Sequence, residues 1–312
     1  MTASNQLIAD RLREAADLLE QQAANPFRVR AYREAAHTVA GLAEDVALVH
    51  ERNGVAGLDA LPGIGPRIAA AITEMLRTGR WSQLERLRGS LDAEPLFQAI
   101  PGVGPALARR IHEALHVDTL EALEVAAHDG RLASVPGIGP RRAAVLRAGL
   151  AGMLGRTRLR PRGPIEEPPV ATLLDVDRQY RDEAAAGRLP RIAPRRFNPE
   201  GRAWLPVLHA ERGPWQFTVL FSNTARAHEL GKTQDWVVVY FHTDTRPEGQ
   251  RTVVTETFGR LAGRRVVRGR ESECRAAYGI PESSQGAPSP SKVNRKSTPK
   301  IAPRVQNAGR PM

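Results

Sequence analysis

Residues 61–72 read LPGIGPRIAAAI, and near-copies return at 100–111 (IPGVGPALARRI) and 135–146 (VPGIGPRRAAVL). Each copy has an aliphatic residue followed by the pattern Pro-Gly-aliphatic-Gly-Pro. Paired glycines let a turn adopt backbone conformations that are closed to residues with a Cβ. The repeat therefore predicts three tight turns, each joining two helices.

Each predicted turn leaves backbone N–H groups facing outward at the start of its second helix. Bare amides and the partial positive charge of a helix N-terminus suit a phosphate oxygen, and the missing Cβ allows close approach. The first two copies place Ile68 and Leu107 where the third has Arg142. We therefore expect the helix that follows the third turn to pack less well than the helices that follow the first two.

Three such copies flanked by helical patterns resemble the helix-hairpin-helix motif, which binds DNA through backbone phosphates without reading base sequence. The alternative is that a hairpin serves only as a helix junction or a protein contact, with its arginines simply solvated. The residues that the resemblance implies for DNA contact are Gly63, Ile64, Gly65, Arg67, Gly102, Val103, Gly104, Arg109, Arg110, Gly137, Ile138, Gly139 and Arg141.

The resemblance extends beyond the turns. The segments NPFRVRAYREAA (25–36) and LPGIGPRIAAAITEMLRTGRWSQLERLR (61–88) look like the amino-terminal eight-kilodalton domain of family X DNA polymerases, especially the bacterial enzymes. The second and third hairpins continue the likeness to about residue 150. The likeness implies a region that grips gapped DNA at a 5′ phosphate.

Some members of that family also remove a deoxyribose phosphate through a lysine Schiff base. The nucleophilic lysine of that pattern matches Ala71 here, and a second lysine matches Arg67. The four lysines of the chain lie at 232, 292, 296 and 300. Arginine stays protonated and has no free amine to attack an aldehyde, so we expect no Schiff-base chemistry.

Polymerase activity needs a Gly-Ser strand turn and three aspartates that hold two metal ions. No Gly-Ser turn followed by a paired-aspartate strand occurs after residue 155. Asp175 and Asp177 lie in LLDVDRQY at helical spacing and point to different faces, which indicates a solvated helix face. The sequence thus leans away from an enzyme without deciding the question.

Composition favours a polyanionic partner and an intracellular setting. The 312 residues include 45 Lys and Arg against 34 Asp and Glu, a formal net charge of +11. The single cysteine, Cys274, excludes an internal disulfide and fits an inert thiol in a reducing compartment. No apolar run approaches the roughly 18 residues of a membrane helix. We expect a cytoplasmic, nucleoid-associated protein.

Changes in composition and apolar periodicity along the sequence predict a multi-domain chain. Residues 1–154 are predicted to be an all-α helix-hairpin-helix array, 155–169 a linker rich in Gly, Pro and Arg, and 281–312 a disordered basic tail. Between them, 170–280 are predicted to form a small α+β domain. Its helix starts at 170, and its strands are PWQFTVLFS, DWVVVYFHT, RTVVTETF and GRRVVRG.

Residues 170–280 contain fragments of several sites and no complete motif. A restriction-type nuclease needs Glu-x-Lys on a strand, but Phe258 stands two residues after Glu256; Asp235 and Lys232 leave a variant arrangement open. The segments RIAPRRF and GRRVVRG mix arginine with Phe197 or strand residues, and suit either phosphate and base contacts or a soluble sheet edge. The residue types that suit zinc, without a recognised spacing, are His209, His228, His242 and Cys274.

These patterns lead to one hypothesis and two alternatives. The hypothesis is a non-sequence-specific, structure-selective DNA-binding protein of DNA repair or chromosome maintenance, which contacts gapped, nicked or bent DNA. The first alternative is a DNA-processing enzyme, either a metal-dependent nuclease or a degenerate polymerase X relative, with its chemistry in 170–280. The second is a protein-interaction adaptor. No cofactor is predicted, although a hairpin could hold a monovalent cation.

Overall fold

The computed structural model describes residues 2–90, 93–154, 166–243 and 246–280, and the part before residue 155 is helical. A 3-10 turn (Arg131–Ser134) precedes the last helix of this part. The α-helices are α1 (Ala3–Gln21), α2 (Pro26–Gly41), α3 (Val46–Asp59), α4 (Pro66–Thr78), α5 (Ser82–Leu87), α6 (Ala93–Gln98), α7 (Pro105–Leu115), α8 (Leu120–His128) and α9 (Pro140–Met153).

The apolar periodicity of the sequence decides which face of each early helix is buried. In α1, Ile8, Leu12 and Leu19 recur at helical spacing and are buried against α2. The predicted Asn25 cap is present, because its side chain accepts a hydrogen bond from the Phe27 amide and Pro26 takes the first helical position. The helices α1 to α5 enclose one apolar core.

The three repeated segments form the three predicted helix-hairpin-helix units. Hairpin 1 joins α3 to α4, hairpin 2 joins α6 to α7, and hairpin 3 joins the 3-10 turn to α9. Hairpin 1 belongs to the core of α1 to α5, whereas hairpins 2 and 3 share a second core. Arg142 is exposed, but α9 still buries Ala143, Leu146 and Leu150 in that second core. The third unit is therefore packed into the array.

The second half is an antiparallel sheet with helices, which confirms the predicted α+β class. Sheet order follows chain order from β1 to β6, so each strand pairs with the next one in sequence. Its elements are α10 (Val170–Ala185), β1 (Arg191–Ile192), β2 (Leu205–Arg212), β3 (Trp215–Phe221), α11 (Ala225–Glu229), β4 (Val237–Thr243), β5 (Arg246–Thr255), β6 (Arg265–Val267) and α12 (Glu271–Ala277).

The two faces of the sheet differ in character. On one face, α10 and α12 cover an apolar core that includes Phe217 and Val239. On the other, polar strand residues meet the helical array: Asp118 accepts hydrogen bonds from Tyr240 at 2.8 Å and Gln250 at 3.1 Å. Residues 1–280 accordingly pack as one compact unit. Most of the predicted linker and all of the predicted tail lie outside the described residues.

Candidate nucleic-acid interface

The first glycine of each hairpin is required by the backbone. Gly63, Gly102 and Gly137 have φ values of 71°, 84° and 85°, in the left-handed region that residues with a Cβ rarely adopt. Between the two glycines, an aliphatic side chain anchors the turn in the core: Ile64 and Val103 are 3% and 5% exposed. Ile138 is buried in the same way. These aliphatic residues hold the turns in place and do not face solvent.

The second glycine of each hairpin has no such internal reason. Gly65, Gly104 and Gly139 have φ values of −86°, −88° and −81°, which any residue can adopt. A Cβ built at these three positions meets no atom within 4 Å. Neither backbone strain nor packing explains why the chain uses glycine here three times. Close approach of an external group would explain it.

The helices that follow these glycines begin without a side-chain cap. Gly65, Gly104 and Gly139 are the N-cap residues of α4, α7 and α9, and no side chain accepts from their first amides. The amides of the first turn have no intrahelical acceptor and carry the positive end of the helix dipole. Five other helices begin with a capping side chain, from Thr2, Asn25, Asp45, Thr119 or Thr224, whereas α5, α10 and α12 also lack one.

Hairpins 2 and 3 are joined by two arginines at their tips. Arg142 of α9 donates to the Gly102 carbonyl of hairpin 2 at 3.2 Å. Arg110 of α7 lies so close to hairpin 3 that a Cβ on Gly137 would stand 2.8 Å from its Nη1. Three of the predicted arginines, Arg109, Arg110 and Arg141, are exposed around these tips. The two hairpins thus present one basic surface.

Arg67 departs from the expected placement. Its side chain is 17% exposed, and its guanidinium donates to the Tyr32 hydroxyl at 3.3 Å and to Gln83 Oε1 at 2.7 Å. The expectation that Arg67 contacts DNA stays a prediction. Arg67 is directed into the junction between the helical array and the sheet.

At that junction Arg67 meets Arg28 and Arg86, and these three residues form what we call the arginine cluster. Several of its buried nitrogens have no hydrogen-bond partner among the described residues: Arg28 Nε, Arg67 Nη1, and Arg86 Nε and Nη1. The neighbouring Gln83 Nε2 is also without a partner. Buried donors left unsatisfied are costly, so a cluster of them marks a site suited to an anion. Burial and the charge of Arg67 lower the pKa of Arg28 to about 10.

The sheet supplies the other wall of the cluster. Burial, together with the charges of the three arginines, holds the pKa values of His209 and His242 well below their usual range, so both rings are neutral. His242 is 2% exposed, and its ring nitrogens make no hydrogen bond of normal geometry among the described residues. Glu248 of β5 accepts from Arg86 Nη2 at 2.6 Å and lies 3.9 Å from Arg67 Nη2. One carboxylate therefore faces three guanidiniums.

The aspartates of α10 are structural. Asp177 is 1% exposed, and Arg265 donates to it at 2.6 and 3.0 Å. The expected solvated face is therefore wrong for Asp177, whereas Asp175 is more exposed and pairs with Arg212. Arg265 also binds Asp235, so this arginine of GRRVVRG is not directed to a ligand.

The other fragments of the second half also have structural partners. Glu256 follows the end of β5 and binds Arg268 at 2.7 Å. Cys274 is buried, its pKa is raised by burial, and its Sγ accepts from the Val267 amide. Among the described residues no group of three His, Cys, Asp or Glu could hold a metal ion. A monovalent cation at a hairpin stays a prediction.

Two family models match the helical half of the chain. A helix-hairpin-helix domain matches residues 3–81, and a SAM-like helix-hairpin-helix tandem matches residues 94–151. The boundary between the matches falls between the two helical cores, so the first model covers hairpin 1 and the second covers hairpins 2 and 3. A comparison with curated proteins finds no match. No helix in the described ranges has the length and apolar character needed to cross a membrane.

Proposed function

We propose that this protein binds DNA without sequence specificity, selects strand ends at gaps or nicks, and acts in DNA repair or chromosome maintenance at the nucleoid. The matched helix-hairpin-helix regions suggest nucleic-acid binding. The observation that carries the proposal is the second glycine of each hairpin, which the fold does not require. A phosphate that hydrogen-bonds to the helix amides must approach within about 3 Å, and a side chain at this position would stand in its way.

Selection of strand ends rests on the arginine cluster. A phosphate inside a duplex backbone carries one charge, whereas a terminal phosphate carries up to two and exposes three oxygens. Arg28, Arg67 and Arg86 offer several free donors within a partly buried site, where charge-assisted hydrogen bonds are strong. All three lie in the two segments that resemble the polymerase domain, for which the likeness implies a grip on a 5′ phosphate.

The proposal is tested by replacing the second glycines one at a time with aspartate. Aspartate is a favoured N-cap residue and complements the helix dipole, so Gly65→Asp, Gly104→Asp and Gly139→Asp should keep or slightly raise the free energy of unfolding. The same carboxylate accepts hydrogen bonds from the free amides of the first turn and repels a phosphate that would bind there. Each variant should therefore weaken duplex binding by roughly tenfold or more, while urea unfolding shows an intact fold.

Thr2→Asp is the matched control, because Thr2 caps α1 far from the hairpins in sequence and the variant adds the same charge at the same kind of position. Its affinity for duplex DNA should stay within about twofold of the parent protein, as expected for one distant, screened charge. Equal losses in Thr2→Asp and in the glycine variants would show that net charge, and not the hairpin amides, governs binding.

A further inference from the structure

A second polar pocket lies between the helical array and the sheet, on the side where α7 meets β3 and β4. We call it the junction pocket, and its polar wall includes Arg86, His112, Arg196, Ser222, Asn223 and Tyr240. Its volume is about 60 Å³. A cavity of about 150 Å³ is known to hold a benzene ring, so this pocket admits a small anion and excludes an aromatic base.

Arg86 gives the junction pocket its charge. The guanidinium stacks on the Tyr240 ring at 3.5 Å, and the side chain is 3% exposed. One of its nitrogens donates to Glu248, while Nε and Nη1 have no partner among the described residues. These two donors can hydrogen-bond to an anionic oxygen in the pocket, and they are the same donors that Arg86 contributes to the arginine cluster, so the two sites share this residue.

The other charged groups around the pocket are paired with one another or with neighbouring side chains. Asp118 also lines it, but its oxygens already accept from His112, Tyr240 and Gln250. Burial opposes the charged form of His112, yet the hydrogen bond to Asp118 and the charge of that carboxylate together outweigh burial and raise the pKa of His112. Arg196 adds a further cation and lies 3.5 Å from Glu94.

Beside this pocket stands an aromatic side chain in a strained backbone conformation. Phe197 has a φ of 53° and is 49% exposed. Its ring lies 4.3 Å from the ring of His228, with an angle of 36° between the planes. His228 bonds to the Asn223 side chain at 2.6 Å, and Asn223 donates to the Arg196 carbonyl at 3.0 Å. The structure therefore holds Phe197 next to two residues of the pocket wall.

A bulky residue in the left-handed region costs about 1–3 kcal/mol and persists only where its surroundings fix it. His228 and the Arg196 guanidinium, 5.5 Å from the ring centre, contact Phe197, but half of the residue remains in solvent, so packing offsets only part of this cost. A flat apolar ring beside an anion pocket is the arrangement that binds one nucleotide of a single strand, with the base stacked outside and the phosphate inside.

We propose that Phe197 and the junction pocket bind one nucleotide of a single-stranded segment, with the base on Phe197 and its phosphate against Arg86 and Arg196. The inference rests on the proposed DNA-binding function and adds the unpaired strand of a gap to it. It also assigns a function to the RIAPRRF segment. The proposed contacts are to the face of the base and to its phosphate, which all four nucleotides share, so binding should not depend on base identity.

The test uses Phe197→Asn, because asparagine tolerates the left-handed region and should preserve the fold. Binding of a twelve-nucleotide oligo(dT) is measured by fluorescence anisotropy and should weaken roughly tenfold, the loss expected for one base–aromatic stack. Binding of an intact duplex should change less than twofold. Phe197→Trp should restore the single-strand affinity.

Phe258→Asn is the matched control, because Phe258 is 81% exposed and lies outside the junction pocket. It should leave single-strand binding unchanged. A twelve-residue strand of abasic sites has no base to stack, so it should bind Phe197→Asn and the parent protein equally. Free dTMP should displace oligo(dT) only weakly, because the proposed ligand is a strand. Equal effects of Phe197→Asn and Phe258→Asn, or no rescue by tryptophan, would overturn the proposal.

The outcomes also separate this inference from the function on which it rests. If the hairpin aspartate variants bind duplex normally, the proposed hairpin function fails whatever Phe197 does. If those variants lose duplex binding while Phe197→Asn binds oligo(dT) normally, the hairpin function stands and the nucleotide site fails.

Discussion

Glu248 should regulate how strongly the arginine cluster holds a terminal phosphate. It is the carboxylate that bonds to Arg86 at 2.6 Å and lies near Arg67, and it is 14% exposed. A phosphate bound to the free donors of Arg28, Arg67 and Arg86 would share the cluster with this negative charge. Glu248→Gln removes the charge and keeps the shape of the side chain.

The expected gain follows from simple electrostatics. Two unit charges about 8 Å apart interact by about 2 kcal/mol at an effective dielectric constant of about 20. Because a change of about 1.4 kcal/mol is tenfold in affinity, Glu248→Gln should favour a terminal phosphate by roughly 30-fold. The free energy of unfolding should fall by as much as about 3–5 kcal/mol, since the buried guanidinium of Arg86 loses its counter-ion.

The assay compares two gapped duplexes that differ only in a 5′ phosphate or a 5′ hydroxyl at the gap. The ratio of the two Kd values, measured by fluorescence anisotropy at one salt concentration, should rise in Glu248→Gln. Glu256→Gln is the matched control, because Glu256 is also 14% exposed and also pairs with an arginine, Arg268. A folded Glu248→Gln protein with an unchanged ratio would refute the assignment of the cluster as a terminal-phosphate site.

Three further predictions concern Asp177, His112 and the lack of lysine in residues 1–160. Asp177→Ala should lower the free energy of unfolding in urea by about 1.5–3 kcal/mol, because Arg265 loses its hydrogen bonds to one carboxylate and keeps Asp235 as its ionic partner. The pKa of His112 is raised, so the stability that it contributes is complete below its unfolded pKa of about 6.5 and is lost as pH rises through the folded pKa. Urea unfolding from pH 6 to 9 should show this fall, and His112→Gln should flatten it; an equal slope in both proteins would contradict the assignment. Borohydride trapping on abasic DNA should give no adduct with residues 1–160 when the amino terminus is blocked, because this range has no lysine.

The hairpins could be predicted from the sequence because their information is local. A Gly-x-Gly turn and the apolar residues around it lie within twelve consecutive positions, and the structure places all three turns as expected. The longer strands of the sheet were predictable from their β-branched and aromatic runs. The strands β1 and β2 were missed, because Arg191–Ile192 is very short and LPVLHAER has a weaker pattern.

The arginine cluster could not be predicted in the same way. Arg28 and Arg86 look like ordinary helix arginines, and only the packing of the sheet against the array buries their nitrogens. His242 lies in a strand without any ligand spacing, and Arg67, whose charge helps to lower the pKa of His242, comes from a distant part of the chain. Asp177 was misread for a related reason, since its partner Arg265 is 88 residues away. Local patterns carry no signal for such pairs.

The central claim is that the bare helix amides of the hairpins hold DNA phosphates. A crystal structure of the protein with a gapped duplex carrying a 5′ phosphate tests it most directly. The account predicts backbone phosphate oxygens within about 2.7–3.2 Å of amides in the first turns of α4, α7 and α9, and the terminal phosphate against the arginine cluster. A complex in which the hairpin tips face solvent and the DNA lies only on the sheet would contradict it.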